Sequence, residues 1–197
     1  MDLSSLLEPP ARAAFVALVA LVAAVRFVEL RISSRNQKKL IARGVHRAAD
    51  PRFPAMVALH SAVLGGSVAE VILLGRPFYP ALGVTMAATF VLANALRWWV
   101  IRTLGAHWNV QVMDSASLGV VTTGPYRWVR HPNYTAVFLE MFSLPLIHTA
   151  SITAVAGTLI HAWVLRGRVA SEERVLLADP LYRARMAAKP RFVPGWF

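Results

Sequence analysis

The chain has 197 residues, 56% of them hydrophobic, with a mean hydropathy of +0.50, a formal net charge of +11 and no cysteine. The missing cysteine excludes disulfides, thiolate nucleophiles, thiolate zinc sites and palmitoylation. The apolar residues come in continuous blocks rather than periodic stripes, so the chain reads as an all-α, polytopic membrane protein and not a soluble domain.

Ala11–Leu30 is the first block. Acidic residues precede it and no small-residue cleavage site follows, so it reads as a retained span rather than a cleavable signal. Arg31 to Arg52 reads as a basic, partly helical linker ending at Asp50-Pro51, with Leu40, Ile41 and Val45 at the membrane interface. Phe53–Gly75 and Phe78–Ile101 each match the roughly 20 helical residues that cross ~30 Å of hydrocarbon. A helix satisfies its own backbone polar groups there.

Within these spans Glu70 is expected near the outer end against headgroups. Arg97, beside Trp98 and Trp99, is expected to snorkel in an aromatic belt. Gly65-Gly66 suits close helix packing. His60, His148 and His161 make no metal set, because their expected depths differ and no ligand spacing joins them.

Residues 102–133 form a long non-spanning loop with Leu104-Gly105-Ala106-His107-Trp108 and a turn at Gly124-Pro125. The fourth block, Tyr134–Leu165, is too long for one crossing, at ~48 Å of helix. Pro145 and the polar Ser143, His148, Thr149 and Ser151 at its middle predict a tight helical hairpin turning near 145–151. The expectation is about five transmembrane helices in one domain, with two N-terminal helices over 1–75 and a catalytic half over 76–197. The tail from Ser171 to about Ala188 reads as an amphipathic helix, and 189–197 as extended.

The positive charge is distributed by side. Arg31, Arg35, Lys38, Lys39, Arg43, Arg47 and Arg52 follow the first block, and further basic clusters follow the third and fourth. Arg12 and Arg76 fall on the other side. This asymmetry is the positive-inside pattern. It predicts an outside N-terminus, a cytosolic C-terminus and basic loops against anionic lipid, in a bacterial cell membrane, with no nucleic-acid partner.

The hairpin would bring two polar stretches together at the cytosolic face. Before it stand Tyr126, Arg127, Arg130, His131, Asn133 and Tyr134; after it stand Arg168, Glu172, Glu173 and Tyr182. Pro132 can open the following helix without wasting an amide. The free N–H groups of that first turn then favour an anionic ligand group. Glu172 and Glu173 suit a cationic or hydroxyl-bearing part, so a zwitterionic small molecule fits the layout.

Arg130-His131-Pro132-Asn133-Tyr134, the preceding Gly124-Pro125-Tyr126-Arg127, the Arg168-x-x-x-Glu172-Glu173 element and the Tyr182…Arg191-Phe192-Val193-Pro194 ending carry a family resemblance. Together with Leu104-Gly105 and Trp108, they resemble the isoprenylcysteine carboxyl methyltransferase family over roughly residues 97–194. The resemblance implies a membrane methyltransferase that uses S-adenosylmethionine, with the cofactor under the cytosolic face. A lipophilic or lipidated acceptor would enter from the bilayer, and membrane lipids surround the chain. It assigns Tyr126, Arg130, His131, Pro132, Tyr134, Glu173 and Tyr182 to cofactor binding, with Glu172 a further candidate contact. Arg168 and Glu172 are the implied catalytic residues, Arg168 orienting the acceptor's anionic oxygen, and no metal is implied.

The acceptor stays open between an isoprenylcysteine-like carboxylate and an acidic enol or phenol such as an alkylpyrone or alkylresorcinol. Two other classes are also open. Membrane sterol reductases, which bind NADPH, share the Arg-His-Pro-Asn-Tyr element, although here Thr135 to Leu139 separate Tyr134 from Glu140. A non-catalytic membrane scaffold would use the charged hairpin ends only as anchors.

Overall fold

A computed structural model describes residues 3–48, 50–113 and 118–193, with side chains from Pro9 onward. Pro194 and the residues after it, part of the expected extended ending, lie outside the described residues. Among the described residues six α-helices follow one another: α1 Leu3–Ile41, α2 Phe53–Leu73, α3 Pro80–Leu104, α4 Pro132–Leu146, α5 Ser151–Leu176 and α6 Pro180–Met186. The all-α membrane class is borne out. Among the described residues three helices, α1 to α3, are both long and apolar enough to cross a membrane.

The fourth block is a hairpin, with unequal arms. Pro145 lies in the last turn of α4, and the chain reverses over 147–150, where Thr149 adopts a positive φ of 56°. Its hydroxyl donates to the Pro77 carbonyl, tying the turn to the α2–α3 connection. α4 has 15 residues, ~22 Å of helix, short of a full crossing by itself. α5 has 26 residues and runs past Leu165 to Leu176, so Ser171 to Leu176 belong to this long arm rather than to a separate tail helix. Ile152, Val155, Leu159, Ile160 and Trp163 are exposed along one side of α5. That stripe at helical spacing is the face expected against lipid.

α1 has 39 residues, ~58 Å of helix, well beyond the apolar layer. Its last turns form a post that steadies the loop after α3. Asn36 donates to the carbonyls of Gly105 and Trp108 at 3.0 and 2.8 Å, and Gln37 to Gln111 at 2.8 Å. Leu40 and Val45, expected at the membrane interface, are instead buried against Met113. The loop after α3 supplies the covering surface that hydropathy alone assigned to lipid.

Two buried charge groups correct the sequence reading. Arg97 does not snorkel. It is buried in α3 and reaches Glu29 of α1 at 2.6 and 3.0 Å and Glu140 of α4 at 3.7 Å. Arg26 completes the group, at 2.7 Å from Glu29 and 3.1 Å from Glu140. Two cations and two anions cancel, which is how charges persist within a membrane bundle.

Glu70 does not face headgroups. Its carboxylate accepts from the Ile152 and Thr153 amides at 3.0 and 2.7 Å, and from Arg76 at 2.9 Å. Ala150, the residue before α5, has no side chain to cap the helix, so Glu70 supplies the cap from α2. Replacing Glu70 by Ala is expected to cost about 1–2 kcal/mol, read by thermal unfolding in detergent. An unchanged transition would show that the cap is dispensable.

Helix packing is closest where glycine permits it. A Cβ at Gly157 would meet Val63 Cγ2 at 2.6 Å, so α5 lies tightly on α2 there. Of the expected glycine pair, Gly66 approaches Thr153 of α5, whereas Gly65 has open space. The C-termini of α1, α3 and α5 and the N-termini of α2 and α4 gather at one end. Arg168 binds both Asp50 and the Val110 carbonyl there.

Candidate active site

At that gathered end lies a cavity of about 190 Å³. Its rim carries Tyr126, Arg130, His131, Glu172 and Tyr182; its inner end carries Met56, His60, Val137 and His161. The loop after α3 forms one wall, through Trp108, Asn109, Val110 and Gln111.

Local geometry delivers each rim group. Gly124 opens a 3-10 turn over Gly124–Arg127 with φ +55°, and a Cβ there would collide with the Thr103 side chain. A residue with a side chain is strained by both features, so the turn that carries Tyr126 needs glycine. His131 is the residue before α4 and Pro132 its first helical residue, so Tyr134 rises from the first turn. Asp179 caps α6 by accepting from the Tyr182 amide at 2.8 Å, which fixes where Tyr182 begins. Burial raises the Tyr126 and Tyr182 hydroxyls above the ordinary phenol value, and the Glu172 charge adds to it. Both stay protonated and able to donate.

The paired carboxylates divide in position. Glu172 lines the cavity, accepts from the Tyr134 hydroxyl, and stands 3.9 Å from His131 Nδ1. Glu173 lies behind the wall. It holds His131 Nε2 at 3.1 Å, Arg130 at 3.2 Å and Arg191 at 2.7 Å. Its carboxyl is lowered to about 2, first by the His131 hydrogen bond and then by Arg191 and the neighbouring charges, against the opposing effect of burial.

The chain end is bound to the same element. The Arg130 and His131 amides donate to the Pro190 and Arg191 carbonyls at 2.9 and 2.8 Å, and Lys189 reaches the Tyr126 carbonyl at 2.7 Å. Thr135 donates to the Phe192 carbonyl at 3.1 Å. Residues 189–192 therefore strap the histidine-bearing turn from outside.

Of the residues singled out by sequence, Tyr126, Arg130, His131, Tyr134, Arg168, Glu172 and Tyr182 line one cavity. Pro132 and Glu173 support its wall without lining it. Arg127 lies over Trp128, at 5.6 Å from the ring centroid, and is not on the cavity. Arg168 lines the cavity with its guanidinium already engaged. Nε donates to the Tyr134 hydroxyl at 2.9 Å, Nη1 to Asp50 at 2.8 Å and Nη2 to the Val110 carbonyl.

Several lining residues were not assigned from the sequence. Arg97, His60, His161 and the Trp108–Gln111 wall reach the cavity from separate helices and loops. The expected difference in depth between His60 and His161 is wrong, since their rings lie edge-on with centroids 5.6 Å apart. Among the described residues no group of His, Asp or Glu suits a metal ion.

Besides the two ring nitrogens of His161, four buried polar atoms on lining residues have no hydrogen-bond partner: Arg130 Nε, Asn133 Oδ1, Asn109 Nδ2 and Trp108 Nε1. Three are donors and one is an acceptor. Buried polar atoms are ordinarily satisfied, so this set suits a polar ligand with both anionic and donor groups. S-adenosylmethionine, with a carboxylate, an ammonium group and ribose hydroxyls, fits that description.

Residues 84–178 match the model of the isoprenylcysteine carboxyl methyltransferase family. The chain is 29% identical over 163 residues to the uncharacterised protein YpbQ of Bacillus subtilis, covering 82% of this chain and 96% of that one. It is 27% identical over 158 residues to an uncharacterised Haemophilus influenzae protein, covering 80% and 91%. A shorter stretch of 90 residues is 32% identical to the protein-S-isoprenylcysteine O-methyltransferase of Tribolium castaneum, 45% of this chain and 32% of that one. The fold is similar to a solved eukaryotic intramembrane Ras methyltransferase, with a TM-score of 0.53 and 24% identity. That likeness covers 66% of this chain and about half, 48%, of the other.

Proposed function

We propose, from the match of residues 84–178 to the isoprenylcysteine carboxyl methyltransferase family model, that this membrane protein is a methyltransferase that uses S-adenosylmethionine to O-methylate a lipophilic acceptor. The observation that carries this reading is the graded cavity. Polar groups with unmet hydrogen bonds stand along its rim and wall, at Arg130, Asn133, Trp108 and Asn109, while Met56 and Val137 add apolar surface at its inner end beside His60 and His161.

The cofactor supplies an electrophilic methyl on a sulfonium, and transfer is an in-line displacement. Alignment and exclusion of water then provide most of the acceleration. Arg130 Nε is free to hold a carboxylate, and Glu172 to hold an ammonium or ribose hydroxyl. Tyr126 and Tyr182 close the rim. Glu173 holds Arg130 and His131 in place from behind. Arg168 fixes Tyr134, Asp50 and the Val110 wall relative to one another, a positioning role. The basic groups at the cavity end support an orientation with that end in the cytosol and the N-terminus outside, in a bacterial cell membrane.

Thermal-shift measurements with S-adenosylhomocysteine and with NADPH test the reading. Stabilisation by S-adenosylhomocysteine is expected. Stabilisation by NADPH alone would point to reductase chemistry instead. Mass spectrometry of lipid extracts, incubated with the protein and methyl-labelled cofactor, would then identify the acceptor.

A further inference from the structure

The inner end of the cavity holds a histidine whose hydrogen bonds are unmet. His161, on α5, is 1% exposed, and neither Nδ1 nor Nε2 has a hydrogen-bond partner. Its ring lies edge-on to His60, with centroids 5.6 Å apart, and 6.4 Å from the Phe138 ring. Burying an imidazole with both nitrogens idle forfeits its hydrogen bonds to water. Such a side chain is a site for a group that brings its own donor.

His60 extends the argument. Its Nδ1 lies 2.7 Å from the Met56 carbonyl, which can only accept. Nδ1 therefore carries the hydrogen, and Nε2 of the neutral ring is an acceptor. Two imidazoles from α2 and α5 thus offer acceptor nitrogens beside the same space.

The nearby cations point the same way. Arg97 is matched by Glu29 and Glu140, and Arg26 belongs to that neutral group. Arg168 is engaged by Asp50, Tyr134 and Val110. These three are the charged groups that act on His60. A carboxylate entering here meets cations already neutralised. A neutral hydroxyl meets nitrogens ready to accept.

We infer that His161, with His60 beside it, receives the proton of a neutral phenol or enol acceptor, making a hydroxyl-bearing lipid the substrate class of this site. The inference rests on the methyltransferase reading above. His161 takes the O–H proton as the acceptor oxygen bonds to the methyl carbon; the methyl–sulfur bond breaks, and its electron pair stays on sulfur. The sulfonium loses its charge while the imidazole gains one, so the cavity's net charge is unchanged and no charge is created in a low-dielectric space. The proton leaves His161 for water when the methyl ether departs.

Binding to the cofactor-free protein in detergent, followed by tryptophan fluorescence, tests this without turnover. The probes are pentadecylresorcinol, its dimethyl ether, and farnesylcysteine as the carboxylate. The resorcinol is expected to bind about tenfold more tightly than the ether, the size of one hydrogen bond to a buried group. His161→Phe should abolish that preference while leaving S-adenosylhomocysteine binding intact. His161→Asn, smaller and polar, serves if the phenylalanine variant does not fold. Equal binding of resorcinol and ether, no binding of the resorcinol, tighter binding of farnesylcysteine, or a preference surviving in the variant would each overturn the inference. Failure of S-adenosylhomocysteine to bind the unaltered protein would instead sink the methyltransferase reading and leave the hydroxyl preference measurable.

Discussion

Replacing Arg97 with leucine is expected to lower the unfolding free energy by about 3–5 kcal/mol, the usual cost of stranding a buried ion. The substitution leaves Glu29 and Glu140 sharing Arg26 alone, and Arg26 is the most exposed member of the four, at 20%. Removing a second charge should repair much of the damage. In the double variant Arg97→Leu, Glu140→Leu, the remaining Arg26 and Glu29 form a neutral pair at 2.7 Å. The double variant should therefore unfold at a higher denaturant concentration than Arg97→Leu alone. A double-mutant cycle on detergent-solubilised protein would measure that coupling. Additive losses would mean that the four groups do not act together.

Glu173→Gln should have the second large effect, and a different one from Glu172→Gln. A neutral amide in place of Glu173 faces Arg130, His131 and Arg191 with no compensating charge. Loosening of the strap over residues 189–192 follows, together with a loss of about 1–3 kcal/mol in S-adenosylhomocysteine affinity from misplacement of Arg130 and His131. Glu172→Gln should weaken ligand binding while amide exchange in the strap stays slow. Hydrogen exchange read alongside calorimetry separates the two. Equal strap protection in both variants would refute the supporting role of Glu173.

The same carboxylate sets a pH dependence. Its value falls on folding from 4.5 to about 2, so its ionised form stabilises the folded chain. That contribution is complete above about 4.5 and is lost as pH falls toward 2. In the unaltered protein, strap protection should therefore be insensitive to pH near neutrality and weaken only in acid, and this acid weakening should be absent in Glu173→Gln.

The helical class was legible because lipid demands it. Long apolar blocks have one open backbone solution in hydrocarbon, and Pro145 with its polar neighbours marked the hairpin turn. The motif residues at the rim were legible too, because Tyr126 to Tyr134 lie close together in sequence and Glu172 one hairpin away. Glu70 and Arg97 were misread for a common reason. Glu70 caps amides 82 and 83 positions distant and Arg97 pairs with Glu29, 68 positions away, and hydropathy carries no record of such partners.

The amino-acid sequence alone determined that this chain is a helical membrane protein with a polar, hairpin-bounded site, since block length, proline and charge bias act locally. Only the tertiary structure decided the rest: that Glu172 faces the cavity while Glu173 braces it, and that His60 and His161 meet. The rotation of α5 about its axis and its contact with α2 set those outcomes, and both arise from packing between helices rather than from any property of one segment.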